Sequence, residues 1–164
     1  MKEIAVIGIG NPLRSDDGIG IVLLHQLVKQ KNKFPKTIDF IDGGTGGINL
    51  LHVLVKYNTV LFIDAVEFQG TPGESRIFSF DEIKNHTTKE GYSTHIEDMR
   101  QILLLSEKLK ELPKTLFVFG IQPKTVYPDV KLSKELEQSI DHLLKQLDNE
   151  IKKYASQKNK VHES

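Results

Sequence analysis

Short apolar segments alternate with amphipathic segments along this chain, and this alternation limits most strongly how the chain can fold. The segments EIAVIGI (residues 3–9), TVLFIDAV (59–66) and TLFVFGIQP (115–123) predict buried strands, and TIDFID (37–42) predicts a further short strand. Apolar residues at helical spacing predict helices at about residues 17–31, 48–57, 96–109 and 134–154. Strands that alternate with helices predict a parallel or mostly parallel sheet.

We therefore predict an α/β fold. It is a single three-layer domain over residues 1–154, with a mostly parallel twisted sheet flanked by helices on both faces. The segment RIFSF (76–80) is predicted to be a short edge strand and the polar residues 81–95 a loop. Residues 155–164 are polar, and we expect a frayed C-terminal tail there.

The charge balance and the absence of cysteine exclude several classes of protein. Lys plus Arg (22) equals Asp plus Glu (22), so no net field attracts nucleic acid or an anionic membrane. Without cysteine there is no disulfide framework and no thiolate zinc site. No apolar run approaches the ~20 residues that span a bilayer. The N-terminal residues lead straight into a strand, so we expect no secretory signal and a cytoplasmic protein.

The turn after the first strand, GIGNPL (8–13), resembles part of a dinucleotide-binding loop. That fingerprint needs a third glycine where Leu13 stands, because the helix must pack closely on the sheet. Asp16 and Asp17 also bring negative charge to a helix start that would otherwise attract phosphate. The turn is therefore a poor nucleotide site. Asp16 is placed to cap the helix that follows.

Three residues are candidates for a functional site. Asp64 ends a buried strand, where a carboxylate needs hydrogen-bond donors, a cation or a proton. Asp17 lies in the first turn of a helix and His95 in a polar loop, and by themselves both are commonly solvated. Together, two carboxylates and an imidazole can bind a borderline divalent ion such as nickel or zinc, with positions left open for water or substrate.

Five segments occur together in one order along the chain. They are GIGNPLRSDDGIG (8–20), DGGTGG (42–47), LFIDAV (61–66), STH (93–95) and FGIQP (119–123). In these segments the chain resembles the hydrogenase maturation endopeptidases, which trim the C-terminus of the large subunit of nickel–iron hydrogenases. The resemblance implies a twisted sheet between helices. It also assigns the metal-binding acid, which is Glu in some members, to Asp17, the second carboxylate to Asp64 and the imidazole ligand to His95.

The resemblance implies an endopeptidase that removes the C-terminal extension of a hydrogenase large-subunit precursor after nickel insertion. Three mechanisms stay open for Asp17, Asp64 and His95 as catalytic and metal-binding residues. They could bind nickel carried by the precursor, hold a resident divalent ion that activates water, or act as an aspartic-type general base. The glycine-rich residues 43–47 are either a rim beside the site or a simple strand-to-helix turn.

Two alternative functions remain at this stage. A peptidyl-tRNA hydrolase also begins with a strand followed by GNP, but it needs a histidine soon afterwards and a basic surface, and RSDDG occupies that position here. A non-catalytic module that binds nickel or the precursor is the other. We expect a hydrogenase large-subunit precursor as partner, no nucleic acid or membrane, and a monomer.

Overall fold

The computed structural model describes residues 3–85 and 94–157. Its strands are β1 (Ile4–Gly8), β2 (Ile38–Asp42), β3 (Thr59–Ala65), β4 (Ser75–Ser79) and β5 (Thr115–Ile121). Its α-helices are α1 (Ile19–Lys29), α2 (Leu50–Leu54), α3 (Phe80–Lys84), α4 (Thr94–Lys108) and α5 (Lys134–Gln157). Short 3-10 helices occupy Ser15–Gly18 and Lys31–Lys33.

The five strands form one sheet in the order β2-β1-β3-β5-β4. Neighbouring strands are parallel except at the edge, where β4 runs antiparallel to β5. The predicted mostly parallel sheet and the edge position of β4 are therefore confirmed. The chain forms β2 on one side of β1 and then crosses over to form β3 on the other side. A topological switch point consequently lies between the carboxyl ends of β1 and β3, where open α/β sheets bind ligands.

Helices cover both faces of the sheet, which confirms the three-layer prediction. On one face α1 and α5 bury Leu23, Leu27, Leu143 and Leu147 against alternate strand residues. On the other face α2, α3 and α4 pack against the remaining strand residues. The inner strand β3 is buried at every residue because it has helices on both sides. No helix among the described residues is long and apolar enough to span a membrane.

Helix bounds differ from the prediction in the polar part of the chain. Residues 81–95 were expected to form a loop, but Phe80–Lys84 is helix α3, because the Ser79 hydroxyl accepts the Glu82 amide at 3.2 Å and Ile83 is buried. Helix α4 already begins at Thr94, and residues 86–93 lie outside the described part of the chain. The helix expected at 48–57 is limited to Leu50–Leu54.

Close packing at Gly20 fixes the start of α1 against the sheet. A Cβ atom on Gly20 would lie 2.2 Å from the carbonyl oxygen of Ile63 and 2.3 Å from that of Ile9. Only glycine allows the helix backbone to approach the ends of β1 and β3 this closely. The turn that precedes α1 is therefore held directly at the switch point.

The C-terminal helix α5 continues through Gln157, three residues beyond the predicted domain boundary at 154. Residues 158–164, which make up most of the predicted frayed tail, lie outside the described part of the chain.

Candidate functional site

Asp17, Asp64 and His95 come from three elements that meet at the switch point. Asp17 lies on the 3-10 helix that follows β1, and Asp64 is the penultimate residue of β3, level with Gly120 of β5. His95 is the second residue of α4. All three are buried, so the solvated alternatives for Asp17 and His95 do not hold in the folded chain.

Asp17 and His95 are joined by a short hydrogen bond. The Oδ2 atom of Asp17 lies 2.7 Å from Nε2 of His95. The same oxygen accepts the backbone amide of Asn11 at 3.0 Å, which fixes the carboxylate in place. A charge-assisted bond in a buried position is stronger than one between neutral groups. The pair therefore joins the turn after β1 to the start of α4.

The second ring nitrogen of His95 also faces an acceptor. Its Nδ1 atom lies 3.2 Å from the carbonyl oxygen of Thr45. With an acceptor at each nitrogen, the doubly protonated imidazolium can donate on both sides. The hydrogen bond to Asp17 is the main cause that raises the pKa of His95, the charges of Asp64 and Asp17 add to the increase, and burial opposes it. His95 is consequently held toward its cationic form.

Asp64, in contrast to His95, has few polar partners. It is completely buried, and no hydrogen bond of normal geometry from the described residues reaches either carboxylate oxygen. Burial raises the pKa of Asp64 well above its ordinary value, the charge of Asp17 adds to the increase, and the charge of His95 and a weak contact with the Ala65 amide oppose it. A buried carboxyl group without donors is stable only with a proton or with a cation nearby. The unsatisfied carboxyl group of Asp64 is therefore the strongest indication that the site binds a cation or another group that the described residues do not supply.

The donor atoms of this site are suitable for a borderline divalent ion, although they are arranged as a hydrogen-bonded pair beside a third group. Two carboxylates and one imidazole are ligands that nickel and zinc accept. Within residues 3–85 and 94–157, no three His, Asp or Glu side chains are already placed as a metal site. Coordination of an ion through Nε2 of His95 would require this nitrogen to lose its proton and its bond to Asp17.

The glycine-rich residues 43–47 lie next to this site. The amide of Gly43 donates to the Gly8 carbonyl and the amide of Gly10 donates to the Gly44 carbonyl, both at 2.8 Å. The next residue, Thr45, presents its carbonyl to His95. The segment thus borders the Asp17–His95 pair as well as connecting β2 to α2.

The predicted role of Asp16 as a helix cap is wrong. Helix α1 begins after Gly18, and no side chain caps it or the preceding 3-10 helix. The completely buried carboxylate of Asp16 instead accepts the amides of Lys124 (2.9 Å), Thr125 (3.0 Å) and Ser133 (2.7 Å). The positive φ of Ser15, 52°, turns the chain before Asp16. Asp16 therefore holds a loop that is more than a hundred residues away in sequence.

Gln122, in the segment FGIQP, is a further structural residue that sequence reasoning did not single out. Its Oε1 atom accepts the amides of Phe68 (2.9 Å) and Gly70 (3.0 Å), and its Nε2 donates to Glu67 at 2.7 Å. Gln122 thereby orders the loop that leaves β3 after Asp64. Nothing local in the sequence distinguishes this glutamine from a solvated one.

Comparison with known proteins gives a consistent result. A family model described as hydrogenase maturation protease matches residues 22–150, which include Asp64 and His95 but begin after Asp17. The hydrogenase expression/formation protein HoxM of Azotobacter vinelandii is 30% identical over 122 residues, covering 74% of this chain and 58% of that protein. The hydrogenase 2 maturation protease of Escherichia coli K12 is 29% identical over 146 residues, 88% of each chain.

A solved structure supports the fold. The hydrogenase maturating endopeptidase HybD from E. coli superposes with a TM-score of 0.79 at 24% identity, covering 93% of both chains. The aligned part of this chain spans only 58%, 63% and 59% of the length of the first three curated relatives.

Proposed function

Because the chain belongs to the hydrogenase maturation protease family, we propose that it is an endopeptidase that removes the C-terminal extension of a nickel–iron hydrogenase large-subunit precursor after nickel insertion. The observation that carries this proposal is the position of the Asp17–His95 pair beside the buried carboxyl group of Asp64, which has no hydrogen bond of normal geometry from the described residues. The working compartment we propose is the cytoplasm.

In this proposal the nickel is part of the substrate, and Asp17, Asp64 and His95 are the residues that bind it. Support comes from the chemistry of the donors, since a cation would neutralise the two carboxylates and give Asp64 the partner it lacks. A cation would also favour neutral His95, whose Nε2 could then act as a ligand. Nickel binding by these residues would make cleavage depend on completed metal insertion.

The direct test is incubation of the purified chain with nickel-loaded and nickel-free large-subunit precursor, followed by mass spectrometry. We expect a product of lower mass from the nickel-loaded precursor only. Cleavage of both forms at the same rate would contradict recognition of nickel. Stable binding without cleavage would favour the non-catalytic module.

The variant His95→Ala tests the metal-based roles, with His142→Ala on the exposed surface of α5 as the matched control. We expect His95→Ala to lose cleavage and His142→Ala to retain it. Full cleavage by His95→Ala would exclude both nickel recognition and a resident ion held by this residue, and would leave general-base catalysis by a carboxylate.

A further inference from the structure

The imidazole ring of His95 lies between two acceptors that differ in kind. Its Nε2 atom lies 2.7 Å from Oδ2 of Asp17, and its Nδ1 atom lies 3.2 Å from the carbonyl oxygen of Thr45. A carboxylate can bind a cation instead of a hydrogen-bond donor, whereas a backbone carbonyl on a ring nitrogen only accepts a proton donor. As long as the contact with Thr45 persists, a neutral His95 ring therefore carries its proton on Nδ1.

The carbonyl of Thr45 is held by a tight turn. The amide of Gly46 donates to the Gly43 carbonyl at 3.0 Å, which closes a turn with Gly44 and Thr45 at its centre. Gly44 has a φ of 56°, and its amide donates to Oδ1 of Asp42 at 2.8 Å. A positive φ at the first central residue of a turn is adopted most readily by glycine. The direction of the Thr45 carbonyl consequently depends on the conformation of Gly44.

The same turn is bonded to the segment that carries Asp17. The amide of Gly10 donates to the Gly44 carbonyl at 2.8 Å. The amide of the next residue, Asn11, donates to Oδ2 of Asp17 at 3.0 Å. The acceptors of the two ring nitrogens, on Asp17 and Thr45, therefore belong to one hydrogen-bonded unit.

We propose that Thr45 is a positioning residue for the cleavage reaction, because its main-chain carbonyl holds the Nδ1–H tautomer of His95 and leaves Nε2 to bind the nickel of the precursor. This inference rests on the proposed function. When Asp17 binds the cation, Nε2 of His95 releases its proton to water and becomes a ligand, while Nδ1 keeps its proton and its hydrogen bond to Thr45. A hydrogen bond from the second ring nitrogen of a histidine ligand to a carbonyl fixes the ring and strengthens metal binding.

A substitution at Gly44 turns the Thr45 carbonyl without a steric clash. A Cβ atom on Gly44 would have no described atom within 4 Å apart from its chain neighbours, so Gly44→Ala acts on the backbone conformation. Gly44→Asn is the conservative variant, because asparagine adopts a positive φ more readily than alanine. Lys110→Val is the matched control. Lys110 also has a positive φ, 58°, where a β-branched residue is strained, and it follows the end of α4 opposite to His95.

The first measurement is NMR of the His95 ring nitrogens and their protons. In the metal-free chain we expect the proton on Nδ1 to exchange with water about tenfold faster in Gly44→Ala than in the wild type, as for loss of one hydrogen bond. In the presence of Zn²⁺, a diamagnetic probe, we expect the wild type to bind the ion through Nε2 and to keep the proton on Nδ1. Zinc bound to Nδ1, no zinc at His95, or equal exchange in wild type and Gly44→Ala would overturn the inference. The wild-type ring alone decides the tautomer even if Gly44→Ala does not fold.

The second measurement is the affinity for Ni²⁺, determined by competition with a chelator, together with kcat/KM for cleavage of nickel-loaded precursor. We expect Gly44→Ala to lower both about tenfold or more, and Gly44→Asn to stay within about threefold of the wild type, as for loss and retention of a partner of a metal ligand. Lys110→Val should have a lower melting temperature and an unchanged nickel affinity. An equal loss of affinity in Lys110→Val would make the effect a general loss of stability and overturn the role of Thr45.

The outcomes separate this inference from the proposed function. Zinc on Nε2 of His95 and a nickel affinity that depends on Gly44, without cleavage of the precursor by the wild type, would support the positioning role and contradict the protease function. Cleavage by the wild type with zinc on Nδ1 would do the reverse. Absence of both metal binding at His95 and cleavage would contradict both.

Discussion

The Oδ2 atom of Asp17 lies 2.7 Å from Nε2 of His95, although 78 residues separate them in the sequence. The bond links the turn after strand β1 to the first turn of α4, and both side chains are buried. Beside them Asp64 has no donor among the described residues. The site thus combines the hydrogen-bonded carboxylate of Asp17, the carboxyl group of Asp64 without such partners, and the imidazole of His95, whose charge depends on both.

Replacing Asp17 with Asn should lower the pKa of His95, because the hydrogen bond to Asp17 is the main cause that raises it. A pKa raised by folding stabilises the folded state below the unfolded value of 6.5, and this contribution is lost as the pH rises through the folded value. The loss of unfolding free energy in Asp17→Asn should therefore be largest below about pH 6.5 and shrink at higher pH.

Two measurements check this expectation. NMR titration of the His95 ring gives its pKa, and urea unfolding between about pH 5 and pH 9 gives the stability difference. Asp141→Asn, at an exposed position of α5, is the control and should change neither. A His95 pKa that stays the same in Asp17→Asn would contradict the role given to this bond.

Replacing Asp64 with Asn should stabilise the chain near neutral pH while abolishing cleavage. Folding raises the pKa of Asp64 above 3.8, so its favourable contribution is present below that value and is lost as the pH rises through the folded value. Asn, which does not ionise, avoids that loss. We expect the free energy of unfolding to increase by an amount on the order of 1 kcal/mol at about pH 8, which is typical when strain at a functional site is relieved.

Thermal and urea unfolding across the same pH range measure the Asp64→Asn effect. The gain should grow with pH and vanish below about pH 4. A variant that is less stable than the wild type at every pH would show that Asp64 has a structural partner. The exposed Asp141→Asn is the control. Asp39→Asn is not suitable, because Asp39 accepts a hydrogen bond from the Tyr57 hydroxyl at 2.7 Å.

Replacing Asp16 with Ala should destabilise the chain by about 3 kcal/mol, because three buried backbone amides lose their charged acceptor. The exposed Asp141→Ala should change stability by less than about 0.5 kcal/mol. Urea unfolding gives both values. Hydrogen exchange of the Lys124, Thr125 and Ser133 amides locates the effect. A loss below about 1 kcal/mol would mean that the loop is held without Asp16.

Replacing Gly20 with Ala should destabilise the chain by about 2 to 3 kcal/mol or more, because the added methyl group would overlap the Ile63 and Ile9 carbonyls. Moving α1 outward to relieve the overlap would also displace Asp17, so cleavage should fall. Val28→Ala, at an exposed position of the same helix, should leave cleavage unchanged. Wild-type stability in Gly20→Ala would show that α1 can shift without cost.

The strands were predictable because each is a local apolar pattern. The segments TVLFIDAV and TLFVFGIQP contain β3 and β5, and their alternation with helices correctly gave the mostly parallel sheet and its three layers. Helix ends were less predictable. The polar sequence around Phe80–Lys84 forms a helix because Ser79 caps it and Ile83 reaches the core, which its composition does not indicate.

The sequence by itself determined the order of the strands and of helices α1, α2, α4 and α5, and the position of Asp64 at the end of an apolar strand, since these features follow from patterns among neighbouring residues. Only the tertiary structure decided that Asp16 holds a loop instead of capping a helix, that Asp17 bonds to His95, and that Asp64 is left without a donor. Hydrogen bonds across 78 or more residues depend on the distance and orientation of side chains in space, and the order of residues along the chain contains neither.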